Sequence, residues 1–195
     1  MRILDDIKLD FSDVLIRPKR STLGSRSEVE LNRDHSFFEG VPVVAADMDT
    51  TGTFGVYDVL CKHKMITCLN KFYNLKDFQK RRQISHLEDL NPDYFMISTG
   101  INESNISFLH DIVEFTKAKW ICVDVANGYM QQVVNYCCKL RVCFPDSIII
   151  AGNVATRCKF HGHCVDRLAG RSLSHNACGV RGLGQGSQCA DHGIF

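Results

Sequence analysis

A glycine-rich run ends in a thiol at Gly182-Leu183-Gly184-Gln185-Gly186-Ser187-Gln188-Cys189. Glycines leave backbone N–H and C=O groups uncovered, and such a loop can cradle a phosphate or a monovalent cation. A cysteine held there can have a lowered pKa and attack an electrophilic carbon. A second constellation is Asp124-Val125-Ala126-Asn127-Gly128-Tyr129, a carboxylate followed by small residues and a glycine. The carboxylate can accept hydrogen bonds from a sugar hydroxyl or an amide, and the short side chains let a ligand approach the backbone. The same residues also suit an N-cap and an Asn-Gly turn. Arg17-Pro18-Lys19-Arg20-Ser21, with Ser25-Arg26, offers guanidinium forks and hydroxyls that suit a phosphate, or equally a solvated basic loop. Cys158, His161, His163 and Cys164 have short ligand-like spacings. No second clean pair stands at the usual separation, so no stoichiometric zinc is expected.

The elements that must position these groups alternate in type after residue 40. Short apolar runs at 41–46, 66–69, 94–98, 120–124 and 147–151 read as strands buried on both faces. Helical spacing fills the intervals at 54–64, 75–83 and 104–117, and again from Met130 to Leu140. Such alternation predicts βαβ units and a parallel sheet. Each strand stops at polar or small residues: Asp47-Met48-Asp49, Ser98-Thr99-Gly100, Asp124 and Gly152-Asn153. In a (β/α)8 barrel the site lies at the carboxyl ends of the strands, and a doubly wound sheet obeys a similar rule at its switch point. Four polar strand ends in succession therefore point to one shared site rather than to four unrelated helix caps.

The bulk properties bound the rest. The 195 residues suffice for a domain with a real core, with 45% hydrophobic and 23% charged residues. A net charge of +1 gives no electrostatic case for nucleic acid or an anionic membrane as partner. No apolar run is long enough to span a bilayer, and the first residues lack the apolar stretch of a signal peptide. A cytosolic location is expected, with the ten cysteines free rather than paired. After Arg157 the periodicity is lost, and cysteine, histidine, arginine, glycine and serine dominate. The sequence thus predicts an ordered unit of five parallel strands over residues 1–156. A Cys/His/Gly/Arg-rich tail over 157–195, not well folded, follows. A sheet of five strands is also expected to leave much of its inner apolar face wet.

Taken together these residues resemble the IMP dehydrogenase and GMP reductase family. The resemblance runs through Asp13-Val14-Leu15-Ile16-Arg17-Pro18-Lys19-Arg20-Ser21, Ser25-Arg26, Met48-Asp49-Thr50, Ser98-Thr99-Gly100, Asp124 to Tyr129 and Ala151-Gly152-Asn153-Val154. It covers about residues 1 to 156, and GLGQGSQC matches the family's cysteine loop. The resemblance implies a (β/α)8 barrel, here a partial one, assembled as a homotetramer. It implies NADPH-dependent conversion of GMP to IMP with release of ammonia, the GMP reductase type being favoured by the arginine-rich opening and by Asp124 to Tyr129. Cys189 would attack C2 of the purine. Ser25 and Arg26 would hold the cofactor phosphates, Lys71 would approach the cofactor, and Asp124, Val125 and Ala126 would face its ribose and nicotinamide. Gly184 and Gly186 would line a loop for a potassium ion.

Several positions depart from the family pattern. Asp47 stands where an asparagine is usual, and Asn70-Lys71-Phe72-Tyr73 replaces His-Lys-His-Tyr. Ala190 and Asp191 replace two threonines, and the family's later strands, second phosphate site, flap and catalytic glutamate have no counterpart. Three functions stay open on this reading: a GMP reductase-like enzyme, an IMP dehydrogenase with the opposite redox direction, and a non-catalytic chain that joins full-length subunits. The tail is either a diverged enzyme segment or an out-of-frame reading, and the second is the expectation.

Overall fold

The computed structural model describes residue 7, residues 11–35, 37–84 and 89–154, and the backbone of 167–170. The chain divides into two units, 1–30 and 31–195. In the first unit Ser25 caps a 3₁₀ turn at Arg26–Glu28, its hydroxyl accepting the Ser27 N–H at 3.3 Å. The described residues of this unit are exposed, Leu15 and Ile16 at 97% each.

The second unit begins with an antiparallel hairpin, β1 (Arg33–His35) and β2 (Phe38–Gly40). There follow β3 (Val44–Ala45), α1 (Phe54–Leu60), β4 (Ile66–Leu69), α2 (Leu75–Arg82) and β5 (Phe95–Thr99). Then come α3 (Asn105–Thr116), β6 (Trp120–Asp124), α4 (Gln131–Cys143), β7 (Ile148–Val154) and β8 (Arg167–Gly170). Strands β3 to β8 form one parallel sheet in sequence order. The helices start and stop where side chains satisfy orphan backbone groups. Thr53 accepts the Val56 N–H ahead of α1, and Asn74 with Asp77 forms a capping box on α2. Lys117 ends α3 in the left-handed conformation.

Period-two alternation sends residues to opposite faces of this sheet. Leu69, Phe95, Ile97, Ile121, Val123, Ile149 and Ala151 face outward, against Leu109 and Ile112 of α3 and Val133, Tyr136, Cys137 and Leu140 of α4. Ile66, Cys68, Met96, Trp120, Cys122 and Ile150 face inward. Register places Cys68 beside Met96, Met96 beside Trp120, and Trp120 beside Ile148 in one row. The hairpin covers the amino ends of the strands. Phe37 and Phe38 meet the Trp120 ring edge-on, with centroids 5.9 and 6.3 Å away, and Phe38 joins the inner cluster. The inner face is therefore buried, contrary to the expectation that it stays wet. The hairpin is the missing cover, and its two phenylalanines are too short a run to show strand alternation in sequence.

The strands at 66–69 and 120–124 and the four helices fall where the periodicity predicts them. Strand β5 lies one residue later than predicted, and β7 runs on to Val154, three residues past its predicted end. Two features differ more. The predicted strand at 41–46 shrinks to two residues, because the chain first bends at Gly40, whose φ is +150°. A β-carbon at Gly40 would lie 2.3 Å from the Lys64 carbonyl oxygen, so no larger residue fits without movement. And a sixth strand, β8, pairs in parallel with β7 at Ile150↔Arg167 and Ala151↔Leu168, where the sequence reading expects no further step after 156. Arg167-Leu168-Ala169-Gly170 holds only two apolar residues, and as the last strand of the sheet it needs to cover only one neighbour. The expectation that 157–195 is not well folded otherwise falls outside the described residues.

A candidate active site at the carboxyl ends of the strands

The loop from Ala46 to Gly52, between β3 and α1, is fixed to its neighbours by short bonds. Ser98 donates to Asp47 Oδ2 at 2.5 Å, and Thr51 Oγ1 donates to the Ala46 carbonyl at 2.8 Å. Asn70 Nδ2 donates to Asp49 Oδ1 at 2.8 Å, and the Asn70 N–H donates to the Gly52 carbonyl at 2.9 Å. Gly52 is required by close approach: a β-carbon there would lie 2.7 Å from the Cys68 carbonyl oxygen. These contacts tie the ends of β3, β4 and β5 together.

The segment after β6 is fastened in the same way to the end of β7. The Val125 N–H donates to the Gly152 carbonyl at 2.9 Å, and the Asn153 N–H donates to the Val125 carbonyl at 2.7 Å. Asn153 Nδ2 adds a bond to that carbonyl at 3.0 Å, and the Gly128 N–H donates to the Asn153 carbonyl at 2.8 Å. A β-carbon on Gly128 would sit 2.7 Å from that same oxygen. Backbone cannot yield as a side chain tip does, so Gly128→Ala is expected to cost about 1–3 kcal/mol. A urea titration checks this, and a change below about 0.5 kcal/mol would show the loop to be soft.

Asp124 stands at the centre of this arrangement. Alternation puts it on the inward face above Trp120 and Cys122, half-buried, with Gly152 as its register partner on β7. β5 ends at Thr99, and at the Gly100 that follows a β-carbon would meet nothing within 4 Å. A carboxylate at a strand end beside a glycine can accept hydrogen bonds from a ligand laid over the strand ends. The field there is acidic. The Cys68 thiol below is pushed well above its usual value, first by its hydrogen bond with Cys122 and then by burial, with the charges of Asp47 and Asp124 adding to both. Lys71 supplies positive charge at the same end. It is exposed in the turn after β4, its ammonium 5.8 Å from the centre of the Phe72 ring.

The structure thus brings Lys71, Asp124, Val125 and Ala126 to one end of the sheet. Ser25 and Arg26 lie exposed in the first unit. Gly184, Gly186 and Cys189, and the cysteines and histidines considered for zinc, lie outside the described residues. Sequence reasoning missed Ser98 as the partner of Asp47 and Asn70 as a link between two loops. A cavity of about 220 Å³ opens between α2 and α3, lined by Phe78, Arg82, Leu90 and Phe115 among others. It lies against the helices and contains none of the strand-end groups. No helix among the described residues is long and apolar enough to cross a membrane.

Parallel strands in sequence order, β3 to β6 each followed by a helix, with polar groups gathered at their carboxyl ends, define a section of a (β/α) barrel. The chain belongs to the IMP dehydrogenase / GMP reductase family, whose domain model matches residues 8–192. It is 42% identical over 195 residues to GMP reductase 2 of Homo sapiens, covering 95% of this chain and 52% of the relative. It is 41% identical over 196 residues to GMP reductase of Aeromonas hydrophila, covering 97% of this chain and 54% of the relative. Among solved structures it is similar to the inosine 5' monophosphate dehydrogenase of Legionella pneumophila, with a TM-score of 0.61 and 25% identity over 75% of this chain and 44% of that one. The chain spans about half the length of the curated relatives it matches. The family match extends to residue 192 and takes in the glycine-rich loop and Cys189, beyond the 156 residues that the resemblance covers.

Proposed function

We propose that the chain serves a GMP reductase-like oxidoreductase, converting GMP to IMP and ammonia at the expense of NADPH. The observation that carries this is Asp124 at the carboxyl end of β6, with Gly152 as its register partner, in a chain of this family. The carboxylate of Asp124 and the backbone-bonded loop of short side chains after it suit the hydroxyl and amide groups of the cofactor. Lys71, Asp124, Val125 and Ala126 would hold it; NADPH when bound supplies a hydride. Asp124 accepts hydrogen bonds from ligand hydroxyl or amide groups, and Lys71 offsets the negative charge that Asp47 and Asp124 place at the mouth. Cys189 acts as the nucleophile: its sulfur bonds to C2 of the purine and the 2-amino group departs as ammonia. Gly184 and Gly186 give the loop backbone carbonyls for a potassium ion. A cytosolic homotetramer completes the reading. The IMP dehydrogenase direction is the alternative, which the solved neighbour favours.

The test is an NADPH titration of the 195-residue chain, followed by cofactor fluorescence. Saturable binding is expected, weakened at least about tenfold in Asp124→Ala through loss of a charge-assisted bond. No saturable binding by the unmodified chain, or binding of NAD in its place, overturns the reading.

A further inference from the structure

Asn70 closes the turn after β4 from two sides. Its Nδ2 donates to Asp49 Oδ1 at 2.8 Å, while its Oδ1 accepts the Phe72 N–H at 2.9 Å. Its main chain adds two more bonds, from the Asn70 N–H to the Gly52 carbonyl at 2.9 Å and from the Tyr73 N–H to the Asn70 carbonyl at 3.2 Å. One residue therefore ties the β3–α1 loop to the turn that carries Lys71. The Lys71 side chain is exposed, its ammonium 5.8 Å from the centre of the Phe72 ring, so the turn's backbone sets where the lysine starts.

We propose that Asn70 is a positioning residue for Lys71, a carboxamide clasp that holds the lysine's turn over the strand ends at any pH. The proposal rests on the functional reading of Lys71 given above. Its chemistry is that of the amide: one donor and one acceptor, neither of which titrates. An imidazole, which the family resemblance puts at this position, offers that pair only when neutral; protonated, it has two donors and cannot accept the Phe72 N–H. The charged groups of the surrounding strand ends are Asp49 and Asp47 on the β3–α1 loop, Lys71 in the same turn and Asp124 after β6, none of which replaces that acceptor.

The experiment uses the full 195-residue chain, isotope-labelled, with variants Asn70→Ala, Asn70→His, Lys71→Ala and the Asn70→Ala/Lys71→Ala double. The Phe72 amide resonance is expected to stay fixed between about pH 5 and pH 8 in the unmodified chain and to titrate in Asn70→His. With NADPH as the probe, Asn70→Ala and Lys71→Ala should each weaken binding about tenfold, and the double variant no further. Asn70→His should bind normally at the alkaline end and lose affinity at the acid end, a profile the unmodified chain lacks. Binding that Lys71→Ala weakens while Asn70→Ala leaves it intact overturns the positioning role alone. Multiplying losses in the double variant overturn it as well. A chain that shows the fixed amide resonance but binds no NADPH overturns the functional reading, and with it the purpose assigned to the clasp.

Discussion

Trp120→Ala is expected to remove about 3–5 kcal/mol of stability, a large share of the roughly 5–15 kcal/mol a domain possesses. Trp120 is fully buried on the inner face, between Met96 and Ile148 in register, with the rings of Phe37 and Phe38 against it. Its loss empties the row that the hairpin covers, and the strands around it cannot collapse because their outer face is already packed on helices. Trp120→Phe separates two contributions. Among the described residues the indole N–H has no hydrogen-bond partner, and an orphaned buried donor costs about 1–3 kcal/mol. Phenylalanine discards that penalty along with part of the ring volume, so the variant should lose far less than alanine does, within about 1.5 kcal/mol of the parent. Urea unfolding followed by circular dichroism measures all three proteins. The single tryptophan of the chain also makes the parent's fluorescence a report on the hairpin. An alanine variant within about 1 kcal/mol of the parent would show that the hairpin does not seal the inner face.

Legibility in the sequence followed from how local each determinant is. Ile66 to Leu69 and Trp120 to Asp124 are found at their true ends because each is a continuous buried run that stops at a polar residue. Asp124 stands out for the same reason: its role as the last inward residue of a strand follows from alternation alone. The hairpin escapes notice because Phe38-Glu39-Gly40 is too short to establish a period. Strand β8 escapes because Arg167 and Gly170 flank only two apolar residues. The bonds that shape the site are the least visible. Ser98 is 51 residues from Asp47, and Asn70 is 21 from Asp49, so neither pairing leaves a local trace. Read by position, Asn70 and Asp47 are departures from a family pattern; in the folded chain both are engaged in bonds of 2.8 Å or shorter.

A polypeptide of these 195 residues is expected to bind ligands at the strand ends yet to turn over GMP no faster than its Cys189→Ala variant. The described sheet runs from β3 to β8 and stays open, each of these two strands having one neighbour. A parallel barrel site is built from loops all around a closed ring, and the chain spans about half the length of its relatives. Addition of the Cys189 sulfur to C2 requires the thiol to lose a proton and the departing amino group to gain one, so groups that move protons must stand on both sides of the purine. Ala190 and Asp191 follow the cysteine where the family resemblance puts hydroxyls that could share in those transfers. Groups that act as a unit lose activity together rather than in proportion, so the deficit should be many orders of magnitude. The open edges also give the chain a route to association, since the unpaired backbone of β3 and β8 can add strands from another subunit. The assay is NADPH consumption and ammonia release with GMP, by the chain alone and after mixing with a full-length relative. Turnover by the chain alone, above the Cys189→Ala background, sinks the expectation and places a complete proton-transfer set within these residues. Activity that appears only on mixing would locate the missing groups on the partner and make the open sheet the means by which they are recruited.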